Sequence, residues 1–98
     1  MRMSGEQKHL RAEVAIGGRV QGVWFRGKTH EMARSLELTG YVRNRSDGCV
    51  EAVFEGLEAG VRRAVSWCHE GPRLASVESV EVTWAEPTGD YSDFSIRH

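Results

Sequence analysis

From Arg11 to Ile16 the chain alternates, with Ala12, Val14 and Ile16 apolar and the positions between them more polar or smaller. A period of two places one set of side chains on one face, so this stretch is expected to be a half-buried strand. At Phe25 the period changes. Phe25, Thr29, Met32, Ala33 and Leu36 follow one another at i, i+4, i+7, i+8 and i+11, a single stripe along a helix that is expected to end near Glu37, before Gly40. Tyr41 to Asn44 reads as a short second strand. Ser46-Asp47-Gly48 is a turn signal, because glycine tolerates positive φ and aspartate bonds its own backbone. Cys49 to Phe54 alternates again, with Val50, Ala52 and Phe54 on one face, and is the hairpin partner of the second strand. The helical spacing returns in Leu57, Val61, Ala64, Val65 and Cys68. It predicts a second helix from about Leu57 to His69, stopped by Gly71 and Pro72. Val80, Val82 and Trp84 mark a fourth main strand, and Phe94 and Ile96 a short strand at the C-terminal end.

The order is βαββαβ with one extra C-terminal strand, and each helix has a single apolar stripe to bury. Such helices belong together on one face of a mostly antiparallel sheet, which makes the expected fold class α+β, a ferredoxin-like sandwich. A strand-helix-strand crossover returns the second strand parallel to the first. Arg19 to Arg26 and Asn44, far apart in the chain, should then meet at one edge of the sheet.

No repeat, low-complexity tract or linker interrupts the 98 residues, so one domain is expected over residues 11–98 after a flexible tail of residues 1–10. With 40% apolar and 28% charged residues the composition is that of an ordinary globular protein. Apolar runs are only a few residues long, and the polar N-terminal stretch has no signal-peptide character; cytoplasmic location without membrane association is the expectation. Two cysteines, Cys49 and Cys68, are expected to be reduced thiols there. The formal net charge of -1 argues against a general polyanion binder. Its distribution is uneven, however: residues 19–45 carry six basic and two acidic groups, whereas residues 46–98 carry four basic and ten acidic groups. A local positive region on a near-neutral protein suits one small anion better than a long nucleic acid.

That region contains Gly17-Gly18-Arg19-Val20-Gln21-Gly22-Val23-Trp24-Phe25-Arg26, taken as a glycine-bearing loop that feeds a helix N-terminus. Unpaired backbone N–H groups and the positive end of the helix dipole collect in such a place, and phosphate is a natural guest. On physics alone many glycine-bearing loops of this kind are plain connections, and Asn44 would be a turn residue. Neither a Walker motif nor a dinucleotide fingerprint is present. The run GRVQGVWFR, followed 18 residues after its last arginine by the asparagine of GYVRNRSDGCVEAVFEG, resembles the acylphosphatase signature. Similarity continues through RRAVSWCHEGP and VESVEVTWAEPTGDYSDFSIR, so it covers about residues 11–97. Trp24 stands where many relatives carry a small or another aromatic residue, and Gly17 is expected to make the loop entrance flexible.

The resemblance implies an enzyme that hydrolyses acyl phosphates to carboxylate and inorganic phosphate. Backbone N–H groups of Val20, Gln21, Gly22, Val23, Trp24, Phe25 and Arg26, with the Arg26 guanidinium, would hold the phosphate, and Asn44 would orient the attacking water. No cofactor and no metal are implied, and inorganic phosphate would be product and competitive inhibitor of a monomer. The residue chemistry agrees: carboxylate is a good leaving group, and phosphoryl transfer rewards positioning and charge stabilisation. An arginine in a first helical turn also opposes the helix dipole, which a bound anion would offset.

Other residues read more plainly. Gln21 should brace the loop; Arg19, Lys28, Arg43 and Arg45 attract anions at a distance; Thr29 packs inward. His9, His30, His69 and His98 lack ligand spacing, Cys49 has no neighbouring histidine to activate it, and Trp67, Trp84 and Phe94 are packing residues. Two other functions compete: a non-catalytic module that binds acyl or carbamoyl phosphate, and RNA binding on the open sheet face. Against the latter, the aromatic run of RNA-recognition domains is missing.

Overall fold

The computed structural model describes residues 8–98. Seven elements follow in order: β1 (His9–Arg19), α1 (Phe25–Ser35), β2 (Thr39–Asn44), β3 (Val50–Leu57), α2 (Glu58–Glu70), β4 (Ser76–Ala85) and β5 (Phe94–Arg97). The strands form one sheet in the order β4-β1-β3-β2-β5. All neighbours are antiparallel except β2 and β5, which run parallel.

The alternation read from the sequence is the register of the sheet. Ala12, Val14 and Ile16 of β1 stand opposite Phe54, Ala52 and Val50 of β3, and Val42 of β2 meets Ala52 from the other side. All of these side chains are buried. The two helices cover that face, adding Phe25, Thr29 and Ala33 from α1 and Val61, Ala64, Val65 and Cys68 from α2. Phe94 of β5 completes the core by stacking on Phe54, with ring centroids 5.5 Å apart and planes 12° from parallel. This is the ferredoxin-like arrangement expected from two single-stripe helices, with the opposite sheet face left open.

Several boundaries differ from the sequence expectation, each for a local reason. The first strand begins at His9 and runs to Arg19, so it takes in the end of the expected tail; the rest of that tail, residues 1–7, lies outside the described residues. Gly17 and Gly18 are part of this strand rather than a flexible loop entrance. Gly17 pairs with Ser79, and a bulge between Gly17 and Gly18 shifts the register against β4. Gly18 has φ +122°, and a Cβ there would run into the Ser76 carbonyl and the Glu78 amide, so the close approach of two strands demands glycine. Helix α1 stops at Ser35, short of Glu37. Glu37 itself takes a left-handed conformation (φ 59°), letting the Leu38 amide bond the Ala33 carbonyl at 3.0 Å. Leu57 is the last residue of β3 and the N-cap of α2, exposed rather than the start of the buried stripe. Gly71 ends α2 as expected, with its N–H on the Trp67 carbonyl at 2.8 Å.

Candidate active site

The connection from β1 to α1 is shorter than the glycines suggest: only residues 20–24 lie between Arg19 and Phe25. It is pinned at both ends by burial. Val20 is fully buried and Phe25 nearly so, its ring edge-on to Trp67 with centroids 5.5 Å apart. The middle is tied across the sheet by Gln21. Its side-chain amide donates to the carbonyls of Arg45 (2.8 Å) and Cys49 (2.9 Å), the residues flanking the β2-β3 turn. Gln21 therefore braces the loop against the hairpin, the structural task its sequence position suggested. The turn itself, with φ +74° at Gly22, brings the chain round to Trp24, also left-handed at φ 65°, ψ 19°.

Helix α1 then begins without the usual satisfaction of its terminus. No side chain caps it and its first turn holds no acidic residue. The first N–H groups and the dipole are thus turned to whatever occupies the space before them. That space is a cleft of about 400 Å³ lined by Val20, Gly22, Trp24, Phe25, Arg26, Gly27, Asn44, Ile96 and His98. Arg26 and Asn44, 18 residues apart, share it. The register explains how. Asn44 follows Val42 by two positions on the helix-bearing face and pairs with Val50, which on its other side pairs with Ile16 of β1. The end of β2 is thereby set beside the exit of β1.

Of the other residues assigned from sequence, Val20, Gly22, Trp24 and Phe25 line the cleft, whereas Gln21 and Val23 do not; Val23 packs against the core. Three lining residues were not read from the sequence. Gly27 follows Arg26 in the helix, while Ile96 and His98 arrive because β5 returns parallel to β2, a pairing no local pattern announces. The Arg26 guanidinium makes only long contacts: Nη1 lies 3.5 Å from the Arg97 carbonyl and 3.3 Å from His98 Nδ1. Among the described residues it pairs with no carboxylate, in contrast to Arg11, Arg43, Arg45 and Arg62.

The remaining candidates have plain positions. Thr29 is buried, its hydroxyl donating to the Phe25 carbonyl at 2.7 Å. Lys28 and Arg45 pair with Glu31 and Asp47. Cys49 and Cys68 are both free thiols, and burial pushes the Cys68 thiol up to about 12. Among the described residues no group of three His, Cys, Asp or Glu side chains could hold a metal ion.

A cleft that joins an uncapped helix terminus, an arginine without a carboxylate and a strand-end carboxamide is suited to holding a small oxyanion with a polar group beside it. Comparison with known proteins points the same way. A family model described as Acylphosphatase matches residues 12–96. The chain is 55% identical over 87 residues to an acylphosphatase of Chloroflexus aurantiacus, covering 89% of this chain and 95% of that protein. Its fold matches the crystal structure of acylphosphatase from Bacillus subtilis with a TM-score of 0.87 and 34% identity, covering 91% and 99% of the two chains. It also matches a crystal structure of full-length HypF, described as phosphate- and nucleotide-bound, with a TM-score of 0.85 and 29% identity, covering 94% of this chain but only 12% of that one.

Proposed function

Since the chain belongs to the acylphosphatase family and hydrolyses acyl phosphates to carboxylate and inorganic phosphate, we propose that Arg26 and the start of α1 hold the phosphate while Asn44 holds the attacking water. One observation carries this assignment: Arg26 and Asn44 come from different elements and line the same cleft. The phosphate oxygens take the helix-terminal N–H groups and the guanidinium as donors, which stabilises the negative charge they carry in the transition state. Water attacks phosphorus in line with that bond. Its oxygen joins phosphorus, the carboxylate leaves with the bonding electron pair, and a phosphate oxygen takes the proton, because a carboxamide is no base near neutral pH. A carboxylate needs no general acid to leave.

Positive charge in this scheme comes from the protein itself, so hydrolysis should persist after exhaustive chelation, and inorganic phosphate should inhibit competitively. The same reading has the protein act as a monomer and in the cytoplasm, a location that its two free thiols support. No helix among the described residues is long and apolar enough to cross a membrane.

The decisive experiment separates binding from turnover at Asn44. Asn44→Ala should leave inorganic phosphate affinity within a few-fold while kcat falls by about two orders of magnitude, the pattern of an interaction made chiefly in the transition state. Calorimetry reads the affinity and the loss of benzoyl phosphate absorbance reads the rate. Affinity lost with kcat intact would make Asn44 a phosphate ligand instead.

A further inference from the structure

The phosphate site accounts for the polar part of the cleft and leaves its most exposed apolar side chain unexplained. Trp24 is 78% exposed, the highest value among the large hydrophobic residues described, and its backbone is left-handed, a conformation rare for a bulky residue. Neither burial nor backbone preference favours an indole at this position. Gly27, one turn on in α1, shows how the ring is seated. A Cβ built there would stand 3.3 Å from Trp24 Cε3 and 3.8 Å from Cζ3, so the six-membered part of the indole lies against bare backbone. Glycine weakens a helix relative to alanine, yet here it leaves the shallow seat the ring occupies. One part of the indole is thus supported by the first turn of α1 while most of its surface stays open at the cleft. The cleft is far larger than a phosphate ion requires and falls within the size range of small-molecule sites.

Resting on the acyl-phosphate reading above, we propose that the Trp24 side chain is an acyl-recognition platform. An apolar acyl chain or ring lies against the indole while its phosphate is held by Arg26 and the helix start. The preferred substrates are then acyl phosphates with extended apolar acyl groups, and acetyl phosphate, whose single methyl group cannot cover the ring, is a poorer one. Phe25 contributes to the same cleft from its buried position and Ile96 from β5, but only Trp24 offers a broad open surface.

Acetyl and hexanoyl phosphate test this, because their leaving carboxylates are nearly equal in basicity and the ratio of their kcat/KM values reads contact with the acyl chain. Wild-type protein should favour hexanoyl phosphate by about tenfold, what partial burial of four methylenes provides. Trp24→Gly removes the ring and accepts the left-handed backbone; it should bring the ratio close to one, whatever happens to the absolute rates. Trp24→Phe, which keeps an aromatic surface, should retain most of the preference. Turnover of acetyl phosphate by wild type with a ratio near one, or a preference that survives in Trp24→Gly, overturns the platform and leaves the phosphate site standing. Failure of wild type to turn over either substrate overturns both.

Discussion

Arg11 and Arg26 are two half-buried guanidinium groups with opposite surroundings. Arg11 lies on the open face of the sheet, its Nε 2.9 Å from Glu13 and its Nη1 2.6 Å from Glu55. Glu55 is itself saturated: it also accepts from the Thr88 amide (3.0 Å), the Thr88 hydroxyl (3.0 Å) and the Gly89 amide (3.1 Å). The cluster ties the segment between β4 and β5 to the middle of the sheet. Arg26 has a backbone carbonyl and an imidazole within reach and no carboxylate among the described residues. An arginine satisfied by its own chain stabilises the fold, and one left unsatisfied beside an uncapped helix is available to a substrate. Residue type alone does not separate the two tasks.

The largest test of this contrast removes the structural partner. Glu55→Gln should lower stability by about 3 kcal/mol, because the Arg11 charge keeps only the more exposed Glu13 carboxylate and Thr88 and Gly89 lose the charge they donate to. Activity per folded molecule should hold, since Glu55 is remote from the cleft lining. The pH dependence should change with it. Burial pushes the Glu55 carboxyl up, but the bonds from Thr88, Arg11 and Gly89 outweigh this and hold it below its ordinary value. A carboxyl lowered on folding contributes stability above its unfolded pKa, about 4.3, and loses that contribution as pH falls further. Urea titrations from pH 7 downward should therefore show an acid-sensitive limb in the wild type that is shallower in Glu55→Gln.

Arg26→Ala should do the converse. Loss of one transition-state donor costs about 2.7 to 4 kcal/mol, or roughly 100- to 1000-fold in kcat/KM, while urea stability should stay within about 1 kcal/mol. Arg26→Lys should recover little, since an ammonium cannot present two parallel donors to phosphate. Equal losses of stability and activity would erase the distinction between the two arginines.

Gln21 sits between these cases as a structural residue of the active loop. Gln21→Ala removes two hydrogen bonds to carbonyls that water can partly replace, so stability should fall by about 1 to 2 kcal/mol, with a smaller loss of activity than Arg26→Ala. The smallest effect concerns the thiols. With its thiol pushed up to about 12 by burial, Cys68 should remain unreactive toward a chromogenic disulfide at pH 8 until denaturant is added, leaving half-buried Cys49 as the sole site of native reaction.

Much of this molecule was legible because its core is local in pattern. The alternation of Ala12, Val14 and Ile16 and the stripe from Val61 to Cys68 each name a face, and the family signature pointed to Val20, Gly22, Trp24, Phe25, Arg26 and Asn44 of the cleft lining. Legibility failed where long-range pairing decides. Gly17 and Gly18 resemble loop residues, yet β4 lies beside them and makes them a bulged strand end. The Glu55 cluster joins residues more than 30 positions apart. Trp24 shows no sign in the sequence that its backbone is left-handed, a conformation set by the turn from Gly22 into α1.

Val50 links the two halves of the cleft: a single residue of the central strand β3 pairs with Ile16, at the exit of β1, and with Asn44, at the end of β2. Neither the β1-α1 segment nor the β2-β3 hairpin can form the site alone. The site exists only after the pairing of β1 with β3, a contact across more than 30 residues that must overcome loop-closure entropy before it is rewarded. Catalytic competence should therefore return late in refolding, together with the protection of β1 amides from hydrogen exchange, and a helix-rich collapsed chain should have none of it.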